Sequence, residues 1–240
     1  MRVGKFRLAV SAGIAILPSF LKRPLYRGLF GYRVGKGVRI GFSIIAVRNC
    51  DIADGTTIGH LNLFLGTERL TIGERVRIGY LNIIRGGSDV SIGRYCEILR
   101  MNEINSIPDP IVVNTVDQTF ILGEGSVIAA SHKIDFTDRV ELGKRVIVGG
   151  RNSSFWTHNR QMTEPIIVGD YSYLGSEIRM TPGSEIPAKC IVGIGAVVTK
   201  KFEGEYKLIA GVPAKIAKDL DEDGRFLTEY KTRADLPDDI

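Results

Sequence analysis

Apolar residues recur in steps of six along most of this chain. They stand at Val34, Ile40, Ile52, Ile58, Ile72, Ile78, Ile84, Ile92, Ile98, Leu122, Ile128, Ile134, Leu142, Val148, Val168, Leu174, Met180, Ile186, Val192 and Val198. Glycine commonly follows, as at Gly41, Gly59, Gly79, Gly123, Gly149, Gly175 and Gly193, and a smaller residue often comes four after the apolar one, as at Thr56, Cys96, Ser126, Ser172, Ser184, Cys190 and Ala196. A period of six fits neither an amphipathic helix nor an alternating strand. It fits a parallel β-helix solenoid in which each hexapeptide gives one short strand and one turn, and three close a triangular coil of about eighteen residues. The apolar residue points inward and stacks on its counterparts, the small residue fills a narrow corner, and glycine suits a corner because it tolerates positive φ and close backbone approach. Each coil is stabilised by its neighbours. A β-sandwich would not hold a six-residue register.

These repeats resemble the hexapeptide acyltransferase family over about residues 34–217. The resemblance implies an all-β fold: a left-handed parallel β-helix solenoid with a short N-terminal helical extension and a C-terminal helix. The hand comes from the resemblance alone and runs against the usual right-handed crossover rule. The expected organisation is a basic amphipathic extension at 1–33, the hexapeptide-repeat β-helix at 34–205, and a cap helix and tail at 206–240. A helix is expected over Leu8–Leu17, ended by Pro18, and a second over about Phe20–Phe30. Excursions from the repeat are expected at Asn102–Thr119, which contains Pro108, Asp109 and Pro110, and at about Phe155–Pro165. Lys215–Leu220 is expected to start the capping helix, and a charged tail runs from Asp219.

Charge divides unevenly. The first fifty residues hold ten Lys or Arg and no Asp or Glu, although the whole chain is only +5. Such a block suits an anionic surface. No helix-turn-helix, zinc finger or aromatic RNA-binding motif accompanies it, which argues against nucleic acid. The apolar run at Leu8–Leu17 is too short to span a bilayer. A basic start before an apolar core also fits a signal peptide, but no small-x-small cleavage site follows. Two compatible readings remain for residues 1–33: a helix lying against an anionic membrane, and a cap on the open end of the first coil. Cys50, Cys96 and Cys190 fall at small inward positions, which makes them core residues; a reducing cytoplasm is the expected setting, with peripheral contact at the inner face of the membrane under the first reading.

The chain has three histidines, His60, His132 and His158. His158 lies in a non-repeat segment, in Trp156-Thr157-His158. This Thr-His resembles that of the family's sugar O-acetyltransferases, which implies His158 as general base. Ser131-His132-Lys133-Ile134-Asp135-Phe136-Thr137-Asp138 resembles a segment of polysaccharide-modifying acyltransferases. On idealised register His132 and His158 fall near one corner region, and Asp138 lies one coil beneath His158, where a carboxylate could fix the imidazole tautomer. Asp135 is the alternative, or it binds an acceptor hydroxyl. The expected catalytic pair is therefore His158 and Asp138, with His132, Asp135, Asn152, Trp156 and Arg160 as acceptor-binding residues. His60 reads as a surface turn residue. A sugar hydroxyl is a poor nucleophile at neutral pH, and a histidine can take its proton as the oxygen attacks a thioester.

Ile191-Val192-Gly193-Ile194-Gly195-Ala196-Val197-Val198-Thr199-Lys200 and Ala210-Gly211-Val212-Pro213-Ala214-Lys215 resemble the runs that line the family's coenzyme A groove. The resemblance implies acetyl-CoA as co-substrate, bound by Tyr173, Gly175, Ser176, Gly193, Ile194, Thr199, Lys200, Lys201 and Lys215, in a homotrimer with donor grooves between subunits. The expected function is coenzyme A-dependent O-acyl, in particular O-acetyl, transfer to a hydroxyl of a surface polysaccharide or its small-molecule or lipid-linked precursor. The alternative is N-acylation of an amino-sugar nucleotide. A zinc enzyme needs several converging histidines, and the spacing of these three does not supply them; no metal is expected. A non-catalytic scaffold would need neither the Thr-His nor the coenzyme-like terminus.

Overall fold

A computed structural model describes residues 4–107 and 116–229. Its body is a parallel β-solenoid whose short strands fall on three faces in a repeating order. Among the described residues the first face has eight strands, from Arg33–Val34 to Glu185–Ile186, and the third has eight, from Ile44–Ala46 to Val197–Val198. The second face starts at Arg39–Ile40 and reaches ten strands. Every inward apolar position expected from the six-residue step is buried. So are the small residues Thr56, Cys96, Ser126, Ser172, Ser184, Cys190 and Ala196. Burial of each Ile, Leu or Val contributes about 1.5–3 kcal/mol before entropy is counted.

The coils are not all of eighteen residues. Val34 pairs with Ile52 at that step, but Ile52 pairs with Ile72, and Ile72 with Ile92, at twenty. The cause is the first face, where four-residue strands such as Asn49–Ile52, Arg69–Ile72 and Asp89–Ile92 bury two residues each: Cys50 with Ile52, Leu70 with Ile72, Val90 with Ile92. On the third face Phe64, Ile104 and Phe155 complete the inward stack. The glycines after the apolar residues serve close approach rather than positive φ. A Cβ on Gly59 would lie 2.2 Å from the Gly79 carbonyl oxygen, and one on Gly123 2.4 Å from the Gly143 carbonyl carbon. The turn from the second face to the third is made instead by Leu61, Leu81, Met101, Ser131 and Asn152, all with φ between 55° and 61°.

A polar ladder runs up that same corner. Ser43, Asn62, Asn82, Asn102, His132 and Ser153 are all buried on successive coils. The Asn62 Oδ1 accepts from both the backbone and side-chain N–H of Asn82, at 3.0 Å each, and Asn82 serves Asn102 in the same way. The Asn102 Oδ1 then accepts from the His132 N–H at 3.0 Å, and the His132 Nδ1 accepts from the Ser153 N–H at 3.1 Å. Each buried backbone donor thus has a partner.

At the N-terminal end, α1 (Lys5–Ala15) and α2 (Ser19–Phe30) pack on the first coil. Their polar groups occupy its open edge. Ser11 Oγ donates to the Ile45 carbonyl at 2.9 Å, Lys22 Nζ to Gly41 and Ala15, Arg23 and Arg27 to Val34, and Arg7 to Val47 and Arg48. Ser19 Oγ accepts from the Ile40 N–H at 2.9 Å.

Both excursions are narrower than the sequence suggests. Asn102 stands in the polar ladder, Glu103–Asn105 is a third-face strand and Thr119 begins a first-face strand, so the first break is confined to 106–118; Pro108, Asp109 and Pro110 lie outside the described residues. Phe155 is in the core, so the second break starts after Trp156, and His158 and Thr163 bridge across it. At the C-terminal end the expected helix start is a strand. Lys207–Gly211 stacks in parallel on Ile191–Val192, and Ala214–Asp219 returns antiparallel beside it. The second strand pairs an edge the last coil would otherwise leave open. The helix comes later: α3, Glu222–Thr228, is N-capped by Asp221, whose carboxylate accepts from the Gly224 N–H at 2.9 Å. The tail beyond Glu229 lies outside the described residues.

Candidate functional site

The third face aligns its outward residues in columns one coil apart. In one column Leu65, Arg85, Asn105, Asp135 and Trp156 are successive partners; in the next, Ile83, Glu103, Lys133 and Ser154. Beyond Trp156 the chain leaves the repeat, with Thr157 buried and His158 partly exposed. The result is a cleft of about 230 Å³ lined by Arg85, Glu103, Asn105, Ser106, Lys133, Asp135, Trp156 and His158, among others.

His158 Nδ1 faces Asp135 Oδ2 across one coil. The carboxylate is itself held firmly. Its Oδ1 accepts from the Thr137 N–H at 3.0 Å and from the Thr137 hydroxyl at 2.6 Å. Thr157 Oγ1 donates to the Asp135 carbonyl at 3.1 Å and lies 3.3 Å from Oδ2. The Thr of the Thr-His pair therefore braces the aspartate that meets the His. A carboxylate only accepts, so it places the imidazole proton on Nδ1 and leaves the Nε2 lone pair for a substrate proton. The His158 side chain is 26% exposed and that of Asp135 8%, so the pair sits at the rim of the cleft and not inside the core.

Asp138 does not meet His158. Its Oδ1 accepts from the Arg139 N–H at 2.8 Å and the Asp117 N–H at 3.2 Å, which makes it a corner brace. Counting from idealised register misplaced it because the coil that carries His158 bulges near Ala130–Arg151 and is lengthened by its excursion. His132 is also not in the cleft. It precedes the strand Lys133–Asp135, whereas His158 follows the strand Ser154–Trp156, so the two stand at opposite ends of one face. His132 is 1% exposed, and burial pushes its pKa down to about 4. Its Nε2 has no hydrogen-bond partner among the described residues. Trp156 lines the cleft and is 45% exposed. Asn152 is an exposed corner residue whose carbonyl accepts from Arg179, and Arg160 is exposed on the excursion; neither lines the cleft. His60 is an exposed turn residue whose Nδ1 accepts from the Phe42 N–H. Reasoning from sequence missed Arg85, Glu103, Asn105, Ser106 and Lys133.

The residues expected to hold the donor split between two places. Thr199, Lys200 and Lys201 follow the third-face strand Val197–Val198, at the edge His158 also leaves. Lys201 pairs with Glu185 at 3.6 Å, and Lys200 Nζ lies 5.3 Å over the Phe202 ring. Tyr173, Gly175, Ser176, Gly193 and Ile194 belong to the second face, and Lys215 is exposed on the terminal hairpin. Packing explains part of this set. A Cβ on Gly175 would meet Ile194 Cγ1 at 3.2 Å, one on Gly193 the Ala210 Cβ at 3.2 Å, and Ser176 fills the space a Cβ on Gly150 would need. Gly195 has nothing within 4 Å of an added Cβ, and Ile194 beside it is 77% exposed, so this edge is open to a ligand. Tyr173 lines a cavity of about 590 Å³ with Ile147, Gly149, Ile191 and Leu227. The signal for that cavity was in the sequence. The outward second-face position reads Arg39, Thr57, Arg77 and Glu97 in early coils, then Val127, Ile147, Tyr173 and Ile191. No group of residues suited to hold a metal ion occurs among the described residues.

No protein-family model matches the chain. Among solved structures, the polySia specific acetyltransferase NeuO is similar with a TM-score of 0.51 at 17% identity, over 78% of this chain and 81% of that one. A hexapeptide-repeat acetyltransferase from Vibrio cholerae O1 biovar eltor, complexed with acetyl coenzyme A, aligns over 91% of this chain and 89% of that one at 15% identity and a TM-score of 0.39. AntD, an N-acyltransferase from Bacillus cereus, aligns over 89% and 100% at 15% identity and 0.33. The likeness to NeuO shows that the chain has the hexapeptide-repeat β-solenoid fold.

Proposed function

We propose that the protein is a coenzyme A-dependent O-acyltransferase, of the O-acetyl kind, that acts on a sugar hydroxyl of a surface polysaccharide or its precursor. The observation that carries this reading is the braced Asp135–His158 pair at the rim of a cleft walled by Trp156. An aromatic face beside polar groups suits a sugar ring. His158 Nε2 takes the proton of the acceptor hydroxyl as its oxygen attacks the thioester carbonyl, forming the C–O bond. Asp135 stabilises the imidazolium that results. The C–S bond then breaks, and the departing thiolate receives the proton from His158. No acyl-enzyme is needed.

Acetyl-CoA fits the open edge at Ile194–Gly195, with Lys200, Lys201 and Lys215 as the cations for its phosphates. That NeuO is a polySia specific acetyltransferase supports a polysaccharide acceptor. A homotrimer in the cytoplasm belongs to the same proposal. The test is a screen of hydroxyl and amine acceptors with labelled acetyl-CoA, read by product mass. Ester products that depend on His158 support the reading. Amide products alone, or transfer untouched by His158→Ala, overturn it.

A further inference from the structure

Some cations on the outer faces of this solenoid are matched, coil to coil, by acids, while others, such as Arg39, Arg100 and Lys144, have no ion pair among the described residues. Arg33 meets Asp51 at 2.5 Å, Arg48 Glu68 at 3.7 Å, Arg69 Asp89 at 3.6 Å and Arg94 Glu124 at 2.9 Å. Arg85 and Lys133 belong to the second group, and both line the cleft beside His158. Arg85 stands in its column between Leu65 and Asn105, neither of them charged. Lys133 stands beside Glu103, but the Glu103 carboxylate accepts from Asn105 Nδ2 and makes no ion pair with Lys133. Among the described residues neither Arg85 nor Lys133 has an acid within ion-pair distance, and both are exposed at the cleft that His158 closes. Between them Asn105 Oδ1 is buried without a hydrogen-bond partner. Arg85 lies two coils from Asp135 in one column, roughly 10 Å at the usual strand spacing. That is the span of one or two sugar rings.

We infer that the acceptor is an anionic saccharide, whose carboxylate or phosphate is read by Arg85 and Lys133 while its hydroxyl is presented to His158. This rests on the acyl-transfer reading above and names its substrate class. The guanidinium offers a planar fork to a carboxylate or phosphate, and Lys133 adds a second charge. Asn105 Oδ1 accepts from a hydroxyl of the same ring. Trp156 supplies the apolar wall.

The experiment uses acceptors in matched pairs: a uronic-acid oligosaccharide with its carboxyl-reduced counterpart, and a phosphorylated sugar with its dephosphorylated form. The full-length protein should prefer one acidic member over its neutral partner, and the preference should weaken with salt. The two pairs separate carboxylate from phosphate. Arg85→Ala should lower the acid-to-neutral ratio of kcat/KM by about 10- to 100-fold, through KM, and Lys133→Ala by less. Arg85→Lys should restore part of it. Calorimetric binding of the same saccharides without acetyl-CoA keeps the two readings apart. Transfer with no acid preference, or variants that alter both members alike, overturns the anionic acceptor and leaves acyl transfer standing. Arg85-dependent binding of an acid without transfer overturns acyl transfer and keeps the anionic ligand. Neither binding nor transfer overturns both.

Discussion

Asp135 and His158 meet across one coil, Oδ2 to Nδ1, although twenty-three residues separate them in sequence. The relationship depends on two threonines. Thr137 fixes the other carboxylate oxygen, and Thr157 bonds the backbone carbonyl of the same aspartate. Both hydroxyls are buried, so the carboxylate has little freedom to turn from the imidazole.

The first prediction follows from that geometry. His158→Ala should lower turnover by about 10²–10⁴-fold, the usual worth of a positioned base. Asp135→Asn should lower it by about 10–10²-fold, because the amide can present N–H where the ring nitrogen needs an acceptor. Asp138→Asn should cost less than Asp135→Asn. Steady-state kinetics with a fixed acceptor check the ranking, and the reverse order would return the positioning role to Asp138.

Sequence alone carried the fold far. A residue that must point into a narrow prism has to be apolar or small, so every inward position from Val34 to Val198 read from the six-residue step is buried. Not read were Phe64 and Ile104, which stand six after Ile58 and Ile98, Phe155, which a bulge sets seven after Val148, and second inward residues of first-face strands such as Leu70 and Val90. His158 stood out because it breaks the repeat. Its partner did not, since a bulge and an excursion in the same coil defeat counting. Arg85 and Lys133 were invisible for a different reason. Outward positions on a solenoid carry no packing constraint, so a functional cation there looks like any solvated one.

The second prediction concerns His132. Burial holds its pKa at about 4, against 6.5 for the free side chain. Above pH 6.5 both folded and unfolded chains carry it neutral, and stability is full. As pH falls from 6.5 toward 4 the unfolded chain binds the proton and the folded one does not, so stability is lost. The loss should reach about 3 kcal/mol at the acid end. His132→Asn continues the ladder of Asn62, Asn82 and Asn102 and removes the titrating group. Urea unfolding between pH 7 and pH 4 should therefore show a shallower decline for His132→Asn than for the natural chain. Equal slopes would show that the acid sensitivity lies elsewhere.

Donor binding gives the third prediction. Lys200→Ala should raise KM for acetyl-CoA about 3- to 10-fold with kcat nearly kept, the effect of losing one exposed phosphate contact. Ser176→Ala should change it less, since Ser176 packs against the corner at Gly150. A larger effect at Ser176 than at Lys200 would centre the donor on the Ile194–Gly195 corner, whose Gly195 N–H donates to the Ser176 carbonyl, and away from Lys200.

The basic N-terminus gives the last. Its surplus of charge looked from sequence like an anionic-surface signal, yet Arg7, Lys22, Arg23 and Arg27 all donate to backbone carbonyls, mostly on the first coil. Those carbonyls belong to an open sheet edge, and acids would repel them. Lys22 is fully buried, and burial lowers its pKa. Lys22→Met leaves the Ala15 and Gly41 carbonyls without their donor and should cost about 2–4 kcal/mol in urea unfolding. Removing residues 1–30 should expose the first coil and cause aggregation. A membrane role then rests on the apolar residues that point away from the solenoid, Phe6 at 79%, Ile16 at 74% and Phe20 at 76% exposed. Liposome flotation separates the two roles. Replacing Phe6, Ile16 and Phe20 together by Ser should abolish binding to anionic vesicles while the unfolding midpoint stays put. Flotation unchanged in that variant would sink membrane contact through these residues, and the cap would stand as the sole use of the segment.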